Sequence, residues 1–148
     1  MIITANIRTL HIDDFDEVWY IVRQLKAPNG RARHVPELSP SQELFAESRR
    51  LISELRFTAE VFQTMYVPRM LVEMHSEDAR AKLNELFARD RAGERIAIAC
   101  YCPVETRCHR SIIAGLLQGA GANVETEWGR DYSHYYKQYM EITKGESK

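Results

Sequence analysis

The spacing of hydrophobic positions changes from segment to segment along the chain, and the changes predict strands alternating with helices. Short apolar runs rich in β-branched residues are typical of strands, whereas apolar residues repeated every three or four positions are typical of helices. The predicted strands cover residues 2–7, 18–22, 95–102 and 123–126. The predicted helices cover residues 40–55, 58–71, 76–89, 111–117 and 131–143, with Pro68 interrupting the second.

The segment before the first predicted helix is unlike the rest of the chain. Residues 26–40 hold three prolines, a glycine and several basic side chains, so we predict a loop with a functional role and no strand or helix of its own. Ser39 and Gln42 fit a capping box with Pro40 at the first helical position, which predicts that the helix begins there.

The run at residues 95–102 is apolar at almost every position instead of alternating, which is typical of a strand buried on both faces of a parallel sheet. A turn, a helix and a short strand follow it. We therefore predict an α/β fold, a single Rossmann-like domain with a mostly parallel central sheet flanked by helices. In such sheets, ligands collect beyond the carboxyl ends of the strands, where helix N-termini present unpaired N–H groups.

The composition restricts the number of domains, the binding partners and the location that we expect for this protein. The chain has 148 residues, of which 45% are hydrophobic, so we expect one domain over residues 1–148 with a real core. A net charge of −1 gives no general attraction to nucleic acid or to an anionic membrane. The first residues lack the features of a signal peptide, and no apolar run reaches the roughly 20 residues of a membrane helix. We therefore expect a cytoplasmic protein that binds neither nucleic acid nor membrane.

All three cysteines lie in one stretch, CYCPVETRCHRS at residues 100–111, which follows the predicted central strand. Three chemical interpretations are open, and the first is metal ligation by Cys100, Cys102, Cys108 and His109. Structural zinc sites usually use two separated pairs of ligands, a spacing that this stretch lacks. We therefore expect no stoichiometric zinc and no other cofactor.

The second interpretation is a nucleophilic thiol. A cysteine beside a helix N-terminus and arginines has a lowered pKa and supplies thiolate at neutral pH. Cys102 or Cys108 would then attack, with His109 as acid or base. Cys102 and Arg107 are spaced as in rhodanese-type sulfurtransferase loops, although those loops are richer in glycine. Cys100 is expected to be a buried packing residue of the strand.

The third interpretation is anion binding without covalent chemistry. N–H groups of the turn, together with Arg107, Arg110 and Ser111, would cradle a phosphate while the cysteines merely pack. This interpretation is favoured because an enzyme should place a base or an orienting carboxylate beside its thiol, and Glu105 is the one carboxylate within the stretch.

The stretch IAIACYCPVETRCHRSIIAGLLQGAGANV, residues 96–124, resembles the C-terminal signature of the family called domain of unknown function 488. In that signature an apolar strand ends in cysteine, a short loop follows, and Cys-His-Arg-Ser opens a helix. Earlier landmarks resemble the family in the same order, over about residues 15–127. The resemblance implies a compact Rossmann-like domain whose site lies between two strand ends. Where the family usually has an aspartate before a strand-ending arginine, this chain has Val22 before Arg23.

We therefore expect the protein to bind or sequester a phosphate-bearing small molecule, such as a nucleotide or a nucleotide-derived signal, at a strand-end pocket. The alternative is a cysteine-dependent enzyme of sulfur or phosphoryl chemistry. The candidate ligand-binding residues are Arg23, Arg31, Arg33, His34, Tyr66, Arg69, Tyr101, Arg107, Arg110 and Ser111. The aromatic residues of the C-terminal helix, within residues 128–143, exceed the needs of a solvated tail, so we expect them to pack on the domain or on a second copy in a homo-oligomer.

Overall fold

Parallel strands form the centre of the fold. The computed structural model describes residues 1–24 and 32–146, with side chains to residue 142. The strands of this part are β1 (Ile2–Asn6), β2 (Glu17–Tyr20), β3 (Ala32–His34), β4 (Ile96–Cys100) and β5 (Val124–Glu125). They form one sheet in the order β3-β2-β4-β1-β5, and every pairing is parallel. Helices flank this sheet, which confirms the predicted α/β, Rossmann-like fold.

Six α-helical segments accompany the sheet in the described residues. They are α1 (Gln42–Ser53), α2 (Ala59–Val61), α3 (Val67–Glu73), α4 (Glu77–Arg91), α5 (His109–Gly119) and α6 (His134–Glu146). A π-helical turn, Phe62–Tyr66, joins α2 to α3. Pro68 lies in the first turn of α3, directly after the π-helical turn. The predicted interruption near Pro68 therefore takes the form of a change in helical winding.

Strand β4 lies between β1 and β2, and all five of its residues are buried. This confirms the inference from its continuous apolar run. The strand ends at Cys100, two residues earlier than predicted, because residues 101–104 turn away from the sheet. Since β1, β2 and β4 are parallel neighbours, the segments that follow them meet at one edge of the sheet.

The prediction of a loop without elements at residues 26–40 is wrong in its second half. Ala32–His34 forms the edge strand β3, which pairs with β2 alone, and Pro36–Leu38 forms a 3₁₀ turn directly after it. Three residues suffice for an edge strand, and Pro36 lies outside it, so this breaker limits the strand without preventing it. Residues 25–31 lie outside the described part of the chain.

Two predicted helix starts are also wrong. The N-cap of α1 is Ser41, whose hydroxyl oxygen accepts a hydrogen bond from the Leu44 N–H, so Pro40 precedes the cap instead of opening the helix. Helix α5 begins at His109, two residues earlier than predicted, with Cys108 as its N-cap. This earlier start brings His109 and Arg110 into the first helical turn.

The C-terminal segment packs on the rest of the chain. Helix α6 begins at His134, later than predicted, and Tyr132 and Tyr135 are buried against the domain. The C-terminal segment approaches α5 closely at two glycines: an added Cβ at Gly115 would meet Tyr132, just before α6, and one at Gly119 would meet Tyr136 of α6. Packing on the domain thus accounts for the two buried tyrosines, while the homo-oligomer stays a prediction. None of the helices in the described ranges has the length and apolar character needed to cross a bilayer.

Candidate functional site

The three cysteines converge where β4 ends and α5 begins. Cys100 is the last residue of β4 and Cys108 is the N-cap of α5, and both are only 1% exposed. Their Sγ atoms lie 2.8 Å apart. Cys102, in the turn between them, is less buried, and the three sulfur atoms all lie within 4.8 Å of one another. The fold therefore builds a compact cluster of three thiols, one of them partly accessible.

Arg110 holds this cluster from the first turn of α5. Its side chain is only 2% exposed, and its Nη1 donates hydrogen bonds to Cys100 Sγ at 3.0 Å and to the Cys102 carbonyl oxygen at 2.8 Å. Its Nε lies 3.7 Å from Glu105 Oε1 and has no hydrogen-bond partner among the described residues. A buried guanidinium with thiol and carboxylate neighbours places a fixed positive charge against the sulfur atoms.

Glu105 links Arg110 to the C-terminal segment. It is 3% exposed, and its carboxylate accepts hydrogen bonds from the Glu127 N–H at 3.2 Å and from the Tyr132 hydroxyl at 2.9 Å. Burial and the bond to Glu105 raise the pKa of Tyr132, so this hydroxyl stays a proton donor. The carboxylate thus has polar partners on the side away from the sulfur atoms, which fixes the position of Arg110.

Electrostatics select Cys100 as the thiolate of the cluster. Hydrogen bonds from the Cys102 and Cys108 thiols lower the pKa of Cys100, and the charges of His109 and Arg110 reinforce this against the opposing effect of burial. The same bond raises the pKa of Cys102 to about 11, because Cys102 is the donor. Burial, followed by the other two thiols, raises the pKa of Cys108 well above its ordinary value. These effects favour Cys100 as the sulfur of the cluster that loses its proton first.

His109 connects the cluster to the end of β2. Its Nε2 donates to the carbonyl oxygen of Ile21, which has no proton to give, so this nitrogen carries the hydrogen. Its Nδ1 lies 3.7 Å from Cys108 Sγ. The bond to Ile21 thus fixes the orientation of the imidazole beside a thiol.

Aromatic residues cover the cluster on another side. Tyr66 is buried and stacks on Phe62 with ring centroids 5.2 Å apart, and Phe57 meets both rings edge-on. Burial raises the pKa of Tyr66 well above its ordinary value, and the electrostatic effect of the cysteine cluster adds to it. A neutral phenol packed among apolar rings therefore lies near the thiols.

Comparison with known families adds one result to this geometry. The family model DUF488-N3a, described as the active DUF488-N3 subclade, matches residues 2–121. The chain belongs to the DUF488 family. Neither a curated protein nor a solved structure matches it. The family is a domain of unknown function, and its matched range covers the β4–turn–α5 unit that carries the cysteines of this DUF488 protein.

Most of the candidate anion-binding residues of the DUF488 protein have partners within the chain. Arg23 follows β2 at the edge where His109 lies, but its guanidinium donates to the Pro36 and Pro40 carbonyl oxygens at 3.1 Å. The Ser111 hydroxyl donates to the Cys108 carbonyl oxygen at 2.7 Å. These side chains tie segments together, and their donors are largely committed.

Other candidates lie away from the thiols or on the surface. Arg33 pairs with Glu85 at 2.6 Å and lies over the Trp19 ring, and His34 Nε2 donates to the Val22 carbonyl oxygen at 2.8 Å. Three further candidates are exposed, namely Arg69, Tyr101 and Arg107. Arg31 lies outside the described residues. Of the ten ligand-binding candidates, the structure brings Arg110, Ser111 and Tyr66 next to the cysteines.

The sequence analysis expected Cys100 to be a packing residue and did not identify Asn6 as part of the site. Cys100 is buried as expected, yet it is also the sulfur that Arg110 contacts. Asn6, at the end of β1, donates through Nδ2 to the Cys102 carbonyl oxygen at 3.3 Å. The alternation of Cys100 and Cys102 indicated that they share a face, but the contact with Asn6 depends on β1 pairing with β4, which the sequence leaves open.

The thiol cluster has the ligand atoms for a thiophilic metal ion. The three sulfur atoms could serve as three ligands, a closer grouping than the sequence spacing led us to expect. The guanidinium of Arg110 already bonds Cys100 Sγ and lessens its attraction for a second cation. The expectation of no stoichiometric zinc stays a prediction, and elemental analysis of the purified full chain tests it. One zinc per chain, retained on dialysis, would contradict it.

Proposed function

We propose that this DUF488 protein is a cysteine-dependent enzyme of sulfur chemistry in which Cys102 is the nucleophile. The observation that carries the proposal is the grouping of three sulfur atoms within 4.8 Å, one of them bonded to a buried arginine. Single buried cysteines are common packing residues, whereas a thiolate charge enclosed with two thiol donors is costly to bury. Such a cluster favours a chemical role over a packing role.

Accessibility assigns the nucleophile. Cys100 and Cys108 are 1% exposed, so a substrate meets Cys102 first. The Cys102 and Cys100 sulfur atoms lie within 4.8 Å of each other, so in this proposal the Cys100 thiolate accepts the proton of the attacking Cys102 thiol. The sequence argument disfavoured an enzyme because it found no base beside the thiol. The Cys100 thiolate supplies that base.

The surrounding residues would assist by orientation. Arg110 keeps the Cys100 charge in place and fixes the Cys102 backbone through its carbonyl oxygen. Glu105 fixes Arg110, and Asn6 donates to the same Cys102 carbonyl oxygen. In this scheme Arg110, Glu105 and Asn6 are positioning residues, since none of them attacks the substrate.

A second candidate is the binding of a phosphate-bearing ligand such as a nucleotide. It is supported by a cavity of about 530 Å³ lined in part by Arg110 and Thr4, whose Nε and Oγ1 atoms are buried and have no hydrogen-bond partner among the described residues. The same lining includes Asp14, Glu125 and Glu127. These carboxylates would repel a ligand with several negative charges, so the cavity favours a ligand with one acidic group and several hydroxyl or amino donors.

Alkylation kinetics test the enzyme proposal without knowledge of the substrate. Below its pKa of about 8.5, an isolated thiol reacts with iodoacetamide about tenfold faster for each unit by which the pH rises. In the native protein the cluster has already lost a proton at lower pH, so we expect Cys102 to be alkylated at a nearly constant rate between about pH 6 and about pH 8. Peptide mass spectrometry after timed quenching measures the rate at each cysteine.

Two variants complete the test of Cys102. Cys100→Ser removes the base, so the alkylation rate of Cys102 should fall about tenfold or more near neutral pH and regain the steep pH dependence of an isolated thiol. Cys102→Ser should leave no rapidly alkylated cysteine. The proposal is wrong if Cys102 in the wild-type protein reacts with the rate and pH profile that it shows in the denatured chain.

A further inference from the structure

We infer that Cys100 and Cys108 form a resolving pair that closes a reversible internal disulfide, and that the substrate class is an organic disulfide or a peroxide. This inference rests on the proposed nucleophile Cys102 for its first step. The second step concerns Cys100 and Cys108, which sequence analysis considered together only as candidate metal ligands. Its geometric basis is the contact between a strand end and a helix N-cap, with the two Sγ atoms 2.8 Å apart.

Because Cys100 and Cys108 are buried, they are suited to displacing an adduct from Cys102 and not to the first attack on the substrate. Both side chains are 1% exposed, so an external reagent has poor access to them. An adduct on Cys102, however, would lie within 4.8 Å of both sulfur atoms. Attack within the cluster is intramolecular, and well-placed intramolecular reactions outrun the corresponding bimolecular ones by large factors.

The presence of two further thiols restricts the substrate class. An acyl or phosphoryl group placed on Cys102 would only be passed from one sulfur to the next, with no net progress. A group attached through a sulfur–sulfur or sulfur–oxygen bond is instead expelled by a neighbouring thiolate, and a disulfide forms. Three adjacent thiols therefore suit substrates whose weak bond accepts two electrons.

The steps balance for an organic disulfide. Cys102 Sγ attacks one sulfur of the substrate, the substrate S–S bond breaks, and the leaving thiolate takes the proton that Cys102 passed to Cys100. Cys100 Sγ then attacks Cys102 Sγ and releases the second thiol. Cys108 gives its proton to that departing group and attacks Cys100 Sγ, which frees Cys102 as a thiolate and leaves the Cys100–Cys108 disulfide. In sum, one substrate disulfide is reduced to two thiols while two protein thiols are oxidised.

The peroxide reaction has the same outcome. Cys102 Sγ attacks one peroxide oxygen, the O–O bond breaks, and an alcohol or water leaves. The sulfenic acid on Cys102 loses its oxygen as water when Cys100 attacks. In both reactions an external thiol of low molecular weight resets the enzyme by reducing the internal disulfide.

Backbone geometry favours Cys108 as the final partner of Cys100. Cys100 and Cys102 are two residues apart in one segment, so a disulfide between them closes a ring of only three residues. A link between Cys100 and Cys102 is therefore strained and short-lived. Cys108 comes from a different element, and its sulfur already contacts that of Cys100.

The test uses the reduced full chain with oxidised glutathione or hydrogen peroxide as the probe, followed by alkylation of the remaining thiols. Trypsin cleaves after Arg95, Arg107 and Arg110, so Cys100 and Cys102 fall in one peptide and Cys108 in another. We expect the two peptides to be joined by a Cys100–Cys108 disulfide, with Cys102 alkylated, and we expect dithiothreitol to reverse the link.

Two variants test the resolving pair and the nucleophile Cys102 separately. Cys108→Ser, or Cys108→Ala if serine disturbs the fold, should give no link between the peptides and should leave glutathione on Cys102 or a link within one peptide. Cys102→Ser should form the Cys100–Cys108 link about tenfold or more slowly, because the pair is buried.

Three results would overturn all or part of this inference. A glutathione adduct that persists on Cys102 of the wild-type protein overturns the resolving pair and leaves the nucleophile intact. A link that forms as fast in Cys102→Ser as in the wild type overturns the nucleophile and leaves the pair. Full alkylation of all three cysteines after oxidant overturns the inference as a whole.

Discussion

Arg110→Met is expected to lower the free energy of unfolding by about 3–5 kcal/mol, the range for removing one partner of a buried ionic pair. Arg110 is 2% exposed and lies between Cys100 and Glu105, so its loss leaves a thiolate and a carboxylate buried without a cation. Methionine fills similar volume, so the loss of charge dominates over the creation of a cavity. Urea unfolding of the wild type and the variant measures the difference.

Arg107→Met is the matched control for this experiment. Arg107 lies three residues before Arg110, is exposed, and donates a hydrogen bond through Nη1 to the Phe57 carbonyl oxygen at 3.3 Å. Its replacement should change the free energy of unfolding by about 0.5 kcal/mol or less, as is usual for surface positions. An Arg110→Met variant that is as stable as Arg107→Met would show that the buried guanidinium does not hold the cluster.

Gly115→Ala is expected to destabilise the protein by about 2–3 kcal/mol, because its added methyl group overpacks the contact between α5 and the segment just before α6. The new Cβ would lie 2.2 Å from the Tyr132 carbonyl oxygen, a backbone atom that cannot rotate away. Alanine favours the helix by about 1 kcal/mol over glycine, so the steric cost must exceed this gain. Thermal unfolding, together with limited proteolysis of α6, measures the effect.

Gly121→Ala separates steric cost from backbone strain. Gly121 has a φ of +100° and nothing within 4 Å of an added Cβ, so alanine there is strained without any clash. We expect a loss of about 1–2 kcal/mol, with α6 still protected from protease. If Gly115→Ala proves as stable as the wild type, the close approach of the C-terminal segment to α5 is wrong.

The central strand and its site were predictable because their signal is local. A continuous apolar run followed by a polar turn and a helix indicated a buried parallel strand, and β4 is buried at all five positions. The turn after such a strand lies at the carboxyl edge of the sheet wherever the strand pairs. The location of the candidate site therefore followed from one segment alone.

The sequence could not show which acceptors the charged residues contact. Arg23 and Arg33 appeared as free cations, but their acceptors, the Pro36 carbonyl oxygen and the Glu85 carboxylate, belong to segments that only the fold brings near. Strand β3 was missed because a three-residue edge strand between breakers leaves almost no periodic pattern. The role of Cys100 was missed because burial in a strand is normally a sign of packing, and its contact with Arg110 depends on where α5 begins.

Thiolate absorbance in the ultraviolet tests the central claim, that Cys100 carries a charge at neutral pH, most directly. The folded-state pKa of Cys100 lies below its unfolded value of about 8.5, so the native protein should hold a thiolate at pH 7 that the unfolded chain lacks. We predict one thiolate per chain at pH 7 in the wild type and its loss in Cys100→Ser, with Cys108→Ser keeping it. A wild-type protein with no thiolate absorbance at pH 7, or one whose thiolate survives in Cys100→Ser, would contradict the account.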